Sequence, residues 1–321
     1  MIRSEGVLVK VPASTANLGP GFDTLGMALS IYIWIGMRPA ETTTVVRMYG
    51  SELDGLPTDE SNLIVRVAHQ VMKEAGYAPI PLEVDVYSEI PLTRGLGSSA
   101  SAIVGALKAA NAMIGHPLSD QKLFDMATAI EKHPDNVGAS LFGGIIVASW
   151  DGDKAHYVRL EPSKQLSTVV AIPRFHLETT EARSVLPLQY DRSDVVYNIS
   201  RTSLLVAALC SGQLELLGTA MMDRVHQPYR APLIPGMSEL LEAATEHGAY
   251  GAALSGAGPT LIALTDAAVS PSELIAFMEK TLNEHGVEAD VLELKPCAEG
   301  AICLDGIDIR SIIPSEMAQN Q

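Results

Sequence analysis

Hydrophobic and polar positions follow two different periods along the chain, and this predicts an alternation of strands and helices. Residues 82–87 alternate apolar and polar side chains, which is typical of a strand with one buried face. Runs rich in β-branched and aromatic residues predict further strands at 7–11, 28–35, 42–48 and 145–148. Apolar residues at helical spacing predict helices that each open on a serine able to cap backbone N–H groups, at 61–75, 98–114 and 119–130.

The second half of the chain shows the same mixture of periods. Helical spacing recurs at 194–210, 213–222, 238–247 and 272–285. Strands are predicted at 168–172, 250–254 and 260–264. The chain has 321 residues, more than one typical domain of roughly 100–200 residues. We therefore predict an α+β protein of two domains, residues 1–160 and 161–321.

Charge narrows the classes of partner that the protein can have. The chain has 22 basic and 38 acidic residues, which gives a net charge of −16. Binding to a phosphate backbone needs a basic face, so nucleic-acid partners and anionic membrane surfaces are both disfavoured. Half of this net charge falls within residues 266–321, beyond every motif described below. The acidity therefore does not exclude a nucleotide site elsewhere in the chain.

Membrane and secreted classes are also disfavoured. Residues 1–10 lack the apolar core of a secretory signal, and the longest uncharged apolar run, 24–37, is too short to span a bilayer. The three cysteines are an odd number without CxxC spacing, so neither a disulfide framework nor a zinc site is indicated. We expect a cytoplasmic protein.

A glycine-rich segment, PLTRGLGSSAS at residues 91–101, lies between a predicted strand and a predicted helix. Gly95 and Gly97 carry no side chain to keep an anion from the backbone, and the following helix offers free N–H groups and the positive end of its dipole. The segment predicts a phosphate cradle, although a structural turn would explain it equally well if it stood alone. It lacks the lysine of the GxxxxGK[ST] loop.

Two other loops are rich in glycine. Residues 11–26 carry one amide, Asn17, and one carboxylate, Asp23, and each could serve turn chemistry or a binding site. Residues 254–260 form a third glycine-rich turn between two apolar strands.

Together, the segments PASTANLGPGFD, PLTRGLGSSA and SGAGPT resemble the three signature segments of the GHMP small-molecule kinases. Within that superfamily the resemblance is to the homoserine kinases, on the stretches 17–23, 131–137, 179–183 and 226–236. The resemblance implies an N-terminal ribosomal-protein-S5-like domain, a C-terminal ferredoxin-like domain and ATP held between them. It also implies a homodimer.

The resemblance assigns the ATP side of the site. It places the phosphates on the glycine-rich loop and Mg²⁺ on Ser98 and Glu131, and Mg²⁺ commonly takes one or two protein oxygens. It places Asn62 near adenine, although a helix cap explains this residue nearly as well. A glutamate at a helix end is ordinarily solvated, and the adjoining HPDN segment is what favours a ligand role for Glu131. The implied cofactor-binding loop consists of Pro91, Leu92, Thr93, Arg94, Gly95, Leu96, Gly97, Ser98, Ser99, Ala100 and Ser101.

The implied substrate is L-homoserine, phosphorylated on its side-chain hydroxyl to O-phospho-L-homoserine in threonine biosynthesis. Arg183 and Arg230 match positions near the α-carboxylate, a task that suits the guanidinium fork. The resemblance adds Thr179, Asn17, His133 and Asn136 to the substrate site. Phosphoryl transfer depends mainly on positioning and charge neutralisation. The implied catalytic residues are Asp23, which orients the hydroxyl, with Asn136 and Glu131.

Two alternatives stay open. Another GHMP kinase acting on a small alcohol such as mevalonate would also use arginines, because mevalonate carries a carboxylate. A catalytically silent ligand-binding member would need no magnesium ligands, and the presence of Ser98, Glu131 and Asp23 together argues against it.

Overall fold

The computed structural model describes residues 2–304 and 306–314. It confirms the α+β class: two sheets are covered by helices. The strands are β1 (Val7–Ala16), β2 (Leu25–Pro39), β3 (Val45–Tyr49), β4 (Leu82–Ser88), β5 (Ile145–Trp150), β6 (Ala155–Leu160), β7 (Leu166–Pro173), β8 (Ala249–Leu254), β9 (Leu261–Asp266), β10 (Ala289–Leu294) and β11 (Ile302–Leu304). The helices are α1 (Leu63–Glu74), α2 (Ser98–Met113), α3 (Asp120–Glu131), α4 (Asp135–Phe142), α5 (Thr179–Ser184), α6 (Arg192–Ser211), α7 (Leu217–Ala220), α8 (Gln227–Arg230), α9 (Met237–Ala243) and α10 (Ser272–Glu284).

The first sheet is built around a long hairpin. Its order is β11-β1-β2-β4-β3, and β5 pairs with both β2 and β6. β1 and β2 pair antiparallel from Val7 opposite Met37 to Ala16 opposite Gly26, so residues 17–24 form the hairpin loop. α2 and α4 pack on β1 and β2, while α1 and α3 pack against α2. The glycine-rich loop that precedes α2 is therefore held close to the hairpin loop.

The second sheet has the order β10-β7-β9-β8, and its inner strand β7 is buried on both faces. Successive side chains of a strand point to opposite faces. Along β7, Val169 and Ala171 belong to the core that includes α9 and α10. Val170 and Ile172 belong to the core that includes α6 and α7 and that continues into the first sheet. The second sheet is therefore a middle layer, packed directly onto the first half of the molecule.

The chain crosses between the two sheets twice. After β6 it enters the second sheet, and after β10 it returns to the first, where β11 pairs antiparallel with β1. Ile309 and Ile313 then pack with Leu8, Trp34 and Tyr87. The division at residue 160 stays a prediction, and the last described strand lies in the first sheet.

Two of the three predicted serine caps are wrong. Ser119 caps α3 and accepts a hydrogen bond from the Lys122 N–H at 3.2 Å. α1 is capped instead by Asn62, since Ser61 bonds to Asp59, and α2 begins at Ser98 after Gly97 in a left-handed conformation. The helix predicted at 213–222 is a 3₁₀ turn followed by the four-residue α7. None of the helices within the described residues is long and apolar enough to cross a membrane.

We predict that Asn62→Ala lowers the free energy of unfolding by about 1–2 kcal/mol, the usual cost of losing an N-cap side chain. The Asn62 side chain accepts from the Ile64 N–H at 2.9 Å and donates to the Pro57 carbonyl at 2.6 Å. Asn62→Asp is the control, because it keeps the acceptor and should lose less stability. Urea unfolding measures both. An unchanged midpoint for Asn62→Ala would contradict the capping role.

Candidate active site

A cavity of about 340 Å³ lies between the hairpin loop, the glycine-rich loop, the start of α4, α5 and the turn that follows β8. This volume is within the usual range of small-molecule sites, about 300–1,000 Å³. Most of the residues that the sequence assigned to a site line it. They are Asn17, Asp23, Thr93, Gly95, Gly97, Ser98, Ser99, Glu131, His133, Asn136, Thr179, Arg183 and Arg230.

Three glycine-rich loops meet at the cavity, and we call their meeting point the loop junction (loops 17–24, 91–97 and 254–260). Asn17 is buried with φ = 71°, and its amide donates to the Gly256 carbonyl at 2.8 Å. Its side-chain oxygen accepts the Asp23 N–H at 3.0 Å. The Ser255 hydroxyl lies 2.6 Å from the Gly95 carbonyl and 2.8 Å from the Thr15 hydroxyl. In this structure Asn17 therefore holds the hairpin loop, and with it Asp23, in place.

Close packing at and beside this junction requires Gly95 and Gly97 of the glycine-rich loop. Gly95 and Gly97 have φ = 81° and 70°, values that residues with a side chain rarely adopt. A Cβ at Gly95 would collide with the Ser255 carbonyl, and one at Gly97 would collide with the Ser14 hydroxyl. The sequence predicts that these glycines allow an anion to approach. In the structure, the turn after β8 packs against Gly95 and strand β1 packs against Gly97.

Asp23 and Arg183 form a two-point ion pair across the cavity. Arg183 Nη1 donates to Asp23 Oδ2 at 3.0 Å, and Nη2 donates to Oδ1 at 2.6 Å. Both side chains are about one-third exposed, at 34% and 37%. Burial alone would lower the pKa of Arg183, but the hydrogen bonds and charge of Asp23 raise it. The guanidinium fork of Arg183 therefore already holds a carboxylate.

Arg230 has a different environment. It is 1% exposed, and its protein acceptors are neutral: Nε donates to the Ala182 carbonyl at 3.0 Å and Nη1 to the Gly256 carbonyl at 3.0 Å. Burial and the nearby charge of Arg183 lower the pKa of Arg230 to about 10. Within the described residues, no carboxylate lies within ion-pair distance of Arg230. A buried guanidinium without a contacting anion is costly, and the cavity that it lines is where an anion would offset that cost.

The His226 ring is neutral, and its contact with Arg230 fixes the orientation of the guanidinium. Its Nε2 is 2.7 Å from the Gly19 carbonyl, and its Nδ1 is 3.3 Å from Arg230 Nη1. A carbonyl only accepts and a guanidinium only donates, so the proton of His226 lies on Nε2. Burial lowers the pKa of His226, which agrees with the neutral form.

His133 is a charged counterpart in the same cavity. Its Nδ1 lies 2.6 Å from Asp135 Oδ1, and the Asp135 side chain is 2% exposed. Burial opposes protonation, but the charge and hydrogen bond of Asp135, with Glu131 and Asp23 nearby, raise the pKa of His133 to about 9. Asn136, the next residue of α4, donates from its amide to the Ser14 hydroxyl at 3.1 Å.

The Ser98 hydroxyl and the Glu131 carboxylate, two groups whose oxygens could bind a metal ion, lie near the start of α2. The Ser99 hydroxyl donates to Glu131 Oε2 at 3.0 Å, and Ser98 is the first residue of the helix. Burial raises the pKa of the Glu131 carboxyl, against the charge of His133 and the hydrogen bond from Ser99. Within the described residues no side chain caps α2, so the N–H groups at its start can meet an anion.

Some predicted residues do not line the cavity: Asn62, Pro91, Leu92, Arg94, Leu96, Ala100 and Ser101. Leu96 and Ala100 are fully buried in the core, and Ser101 donates to the Pro12 carbonyl at 3.0 Å. Both polar ends of the Asn62 side chain bond to backbone, which favours the alternative of a helix cap. Contact of these residues with ATP stays a prediction.

Several residues that line the cavity were not predicted from the sequence. Phe22, Asp135 and Glu178 line the cavity, together with the turn at 256–258. Phe22 and Asp135 lie inside segments that carried the resemblance, so their position in the chain was a signal. Nothing in the sequence alone shows that Phe22 contacts two arginines or that Asp135 contacts His133.

Comparison with known proteins identifies the class. Residues 62–144 match the GHMP kinases N terminal domain, and residues 205–284 match the GHMP kinases C terminal domain. The chain therefore belongs to the GHMP kinases and is an ATP-dependent kinase with their two-domain fold.

Within that class the chain belongs to the homoserine kinase family. It is 44% identical to the homoserine kinase of Moorella thermoacetica over 300 residues, which cover 92% of this chain and 99% of that protein. It is 45% identical to the homoserine kinase of Deinococcus radiodurans over 294 residues, or 92% and 95% of the two chains. The predicted family is confirmed.

Solved structures agree. The homoserine kinase of Cytophaga hutchinsonii superposes with a TM-score of 0.85 at 27% identity, covering 95% of this chain and 98% of that one. A mevalonate kinase superposes with a TM-score of 0.65 at 16% identity, covering 90% and 99%, and so shares the fold alone.

We predict that His133 makes the stability of the metal-free protein fall as pH rises. Its pKa is about 9 in the folded chain, against about 6.5 for an unfolded histidine. The ion pair with Asp135 therefore contributes fully below pH 6.5, and its contribution is lost as pH rises through 9. Urea unfolding at pH 6, 7.5 and 9 should show that His133→Gln removes this part of the pH dependence. Parallel pH curves for the two proteins would rule out the ion pair as its source.

Proposed function

We propose that the protein transfers the γ-phosphoryl group of ATP to the side-chain hydroxyl of L-homoserine, with Mg²⁺ held by Ser98 and Glu131, and so serves threonine biosynthesis. One observation carries the proposal: a single cavity is lined by two guanidiniums, a carboxylate that faces them and the uncapped start of α2. The two guanidiniums and the carboxylate suit an amino acid that carries a primary alcohol. The start of α2 suits a nucleoside triphosphate.

The two arginines suit an α-carboxylate in different ways. Arg230 is buried and held by neutral groups, so it offers a fixed positive charge to an incoming anion. Arg183 is half-buried and holds Asp23 in the geometry that a substrate carboxylate would also adopt. A substrate carboxylate that took the place of the Asp23 carboxylate on Arg183 would release Asp23 toward the ammonium group or the hydroxyl.

The residues at the start of α2 fit a nucleotide with Mg²⁺. The donor set of one hydroxyl and one carboxylate is the type that Mg²⁺ prefers, with its remaining positions filled by phosphate and water. Burial raises the pKa of Glu131, and a nearby cation would favour its charged form. When bound, Mg²⁺ would neutralise phosphate charge, while the N–H groups of α2 contact phosphate oxygens.

The chemical step requires positioning more than covalent work by the protein. A bond forms between the homoserine hydroxyl oxygen and the γ-phosphorus, the bond from the γ-phosphorus to the β–γ bridging oxygen breaks so that ADP leaves, and the hydroxyl proton is released to water. Asp23 orients the hydroxyl, Asn136 and His133 line its approach, and Thr179 at the start of α5 adds a hydroxyl to the substrate side. The presence of these side chains in one cavity supports these roles.

Several sequence expectations stay predictions. They are a cytoplasmic location, a homodimer, and the absence of nucleic-acid and membrane partners. The net charge of −16 supports the last of these.

The function is tested by incubating the purified protein with ATP and a panel of alcohols: L-homoserine, L-serine, L-threonine and mevalonate. We expect O-phospho-L-homoserine as the main product, identified by mass spectrometry, and its loss when EDTA removes Mg²⁺. A preference for mevalonate would replace the proposed substrate. ATP binding without any phosphorylated alcohol would indicate a silent ligand-binding member.

We predict that Asp23→Asn lowers kcat by roughly 100-fold, the size of effect expected when a reacting group loses its orientation, with KM for ATP nearly unchanged. The matched control is Asp194→Asn. Asp194 also accepts from an arginine, Arg224 at 3.2 Å, but lies outside the cavity. Steady-state kinetics should show normal turnover for Asp194→Asn. An unchanged kcat for Asp23→Asn would remove Asp23 from the mechanism.

A further inference from the structure

Phe22 lies beside both of the guanidiniums that line the cavity. It lies in the hairpin loop next to Asp23 and lines the cavity. The Cζ atoms of Arg183 and Arg230 lie over its ring, 5.4 Å and 5.3 Å from the centroid. Both distances are within the roughly 6 Å range in which an aromatic ring attracts a cation. One ring therefore contacts both of the guanidiniums proposed to bind the substrate.

The two arginines need such a contact because they repel each other. The charge of Arg183 contributes to the lowered pKa of Arg230. Arg183 is held by Asp23, but the partners of Arg230 are carbonyls and a neutral imidazole. If a substrate carboxylate displaced Asp23 from Arg183, the aromatic ring would still contact both cations.

The Phe22 ring is itself fixed. It stacks on the His226 ring at 5.0 Å between centroids, with 26° between the planes. His226 is fully buried and bonds to the Gly19 carbonyl of the same hairpin loop. The ring thus has a defined position relative to Arg230, which follows His226 by four residues and contacts its Nδ1.

We propose that Phe22 is a positioning residue that sets the spacing of Arg183 and Arg230 and thereby determines affinity for the α-carboxylate of the substrate. The inference rests on the proposed function, in which these two arginines bind that carboxylate. Phe22 has no group that can take part in phosphoryl transfer. It should affect binding of the amino acid and leave the chemical step and the nucleotide unaffected.

The test compares Phe22→Leu, which keeps apolar bulk without the ring, with Phe22→Tyr, which keeps the ring. Phe22→Leu should raise KM for L-homoserine by roughly 5- to 30-fold, the loss expected for one or two partly buried cation–π contacts. Its kcat and its KM for ATP should stay within about twofold of the unchanged protein. Phe22→Tyr should restore a KM close to the original.

A compound without the carboxylate isolates the role of the arginines. 3-Aminopropan-1-ol is homoserine without its carboxylate, and we measure it as a competitive inhibitor against L-homoserine. Its inhibition constant should be the same for the unchanged protein and for Phe22→Leu. A parallel weakening would show that the ring shapes the cavity in general and would overturn the proposal.

The chain offers a matched control in Tyr197, whose ring also lies near two arginines, Arg201 at 4.7 Å and Arg224 at 4.0 Å, outside this cavity. Tyr197→Leu should leave kcat, KM for L-homoserine and KM for ATP unchanged. An unchanged KM in Phe22→Leu, or a fall in kcat equal to the rise in KM, would overturn the positioning role. Failure of the unchanged protein to phosphorylate L-homoserine would instead overturn the proposed function.

Discussion

The geometry of the active site depends on the hydrogen bonds that the carbonyl oxygen of Gly256 accepts. This oxygen accepts a hydrogen bond from Asn17 in the first half of the chain and another from Arg230 in the second. The Gly256 N–H donates in turn to the Ala16 carbonyl at 3.1 Å. The backbone of this one residue therefore fixes the hairpin loop, the third glycine-rich turn and a buried guanidinium relative to one another. Asp23 and Phe22 reach the cavity because their loop is held at this point.

The electrostatics of the site differ from those of the whole chain. A protein with net charge −16 is expected to repel anions at long range, but such fields are screened over about 10 Å in ordinary salt. Within the cavity, Arg230, Arg183 and the start of α2 are all positive. Asp23 balances Arg183, and Asp135 balances His133. Arg230 has no carboxylate within ion-pair distance among the described residues, so its positive charge is available to an anionic ligand.

Much of this arrangement could be predicted from the sequence, because local patterns determine it. The helices α1, α2 and α3 begin and end within two residues of their predicted positions. The motifs also identified Asp23, Arg183 and Arg230, which lie far apart in the chain and meet in the cavity.

Other features depend on distant contacts. β2 extends to residues 25 and 39 because β1, β4 and β5 pair along it, which no local run of β-branched residues reveals. β11 has three residues and exists only through pairing with β1. The full burial of Arg230, the neutral state of His226 and the sharing of Phe22 by two arginines arise from packing between the halves. The order of apolar and polar residues along the chain does not reveal these contacts between distant residues.

The return of the chain to its first sheet has a consequence for synthesis on the ribosome. The strand that covers the outer edge of β1 is β11, which follows β1 in the chain by almost three hundred residues. Until residue 304 has emerged, the nascent sheet presents a row of unpaired backbone groups, the kind of edge that recruits other strands. The first half of this protein therefore cannot complete its sheet until β11 has been synthesised, and the edge of β1 stays open to other strands until then.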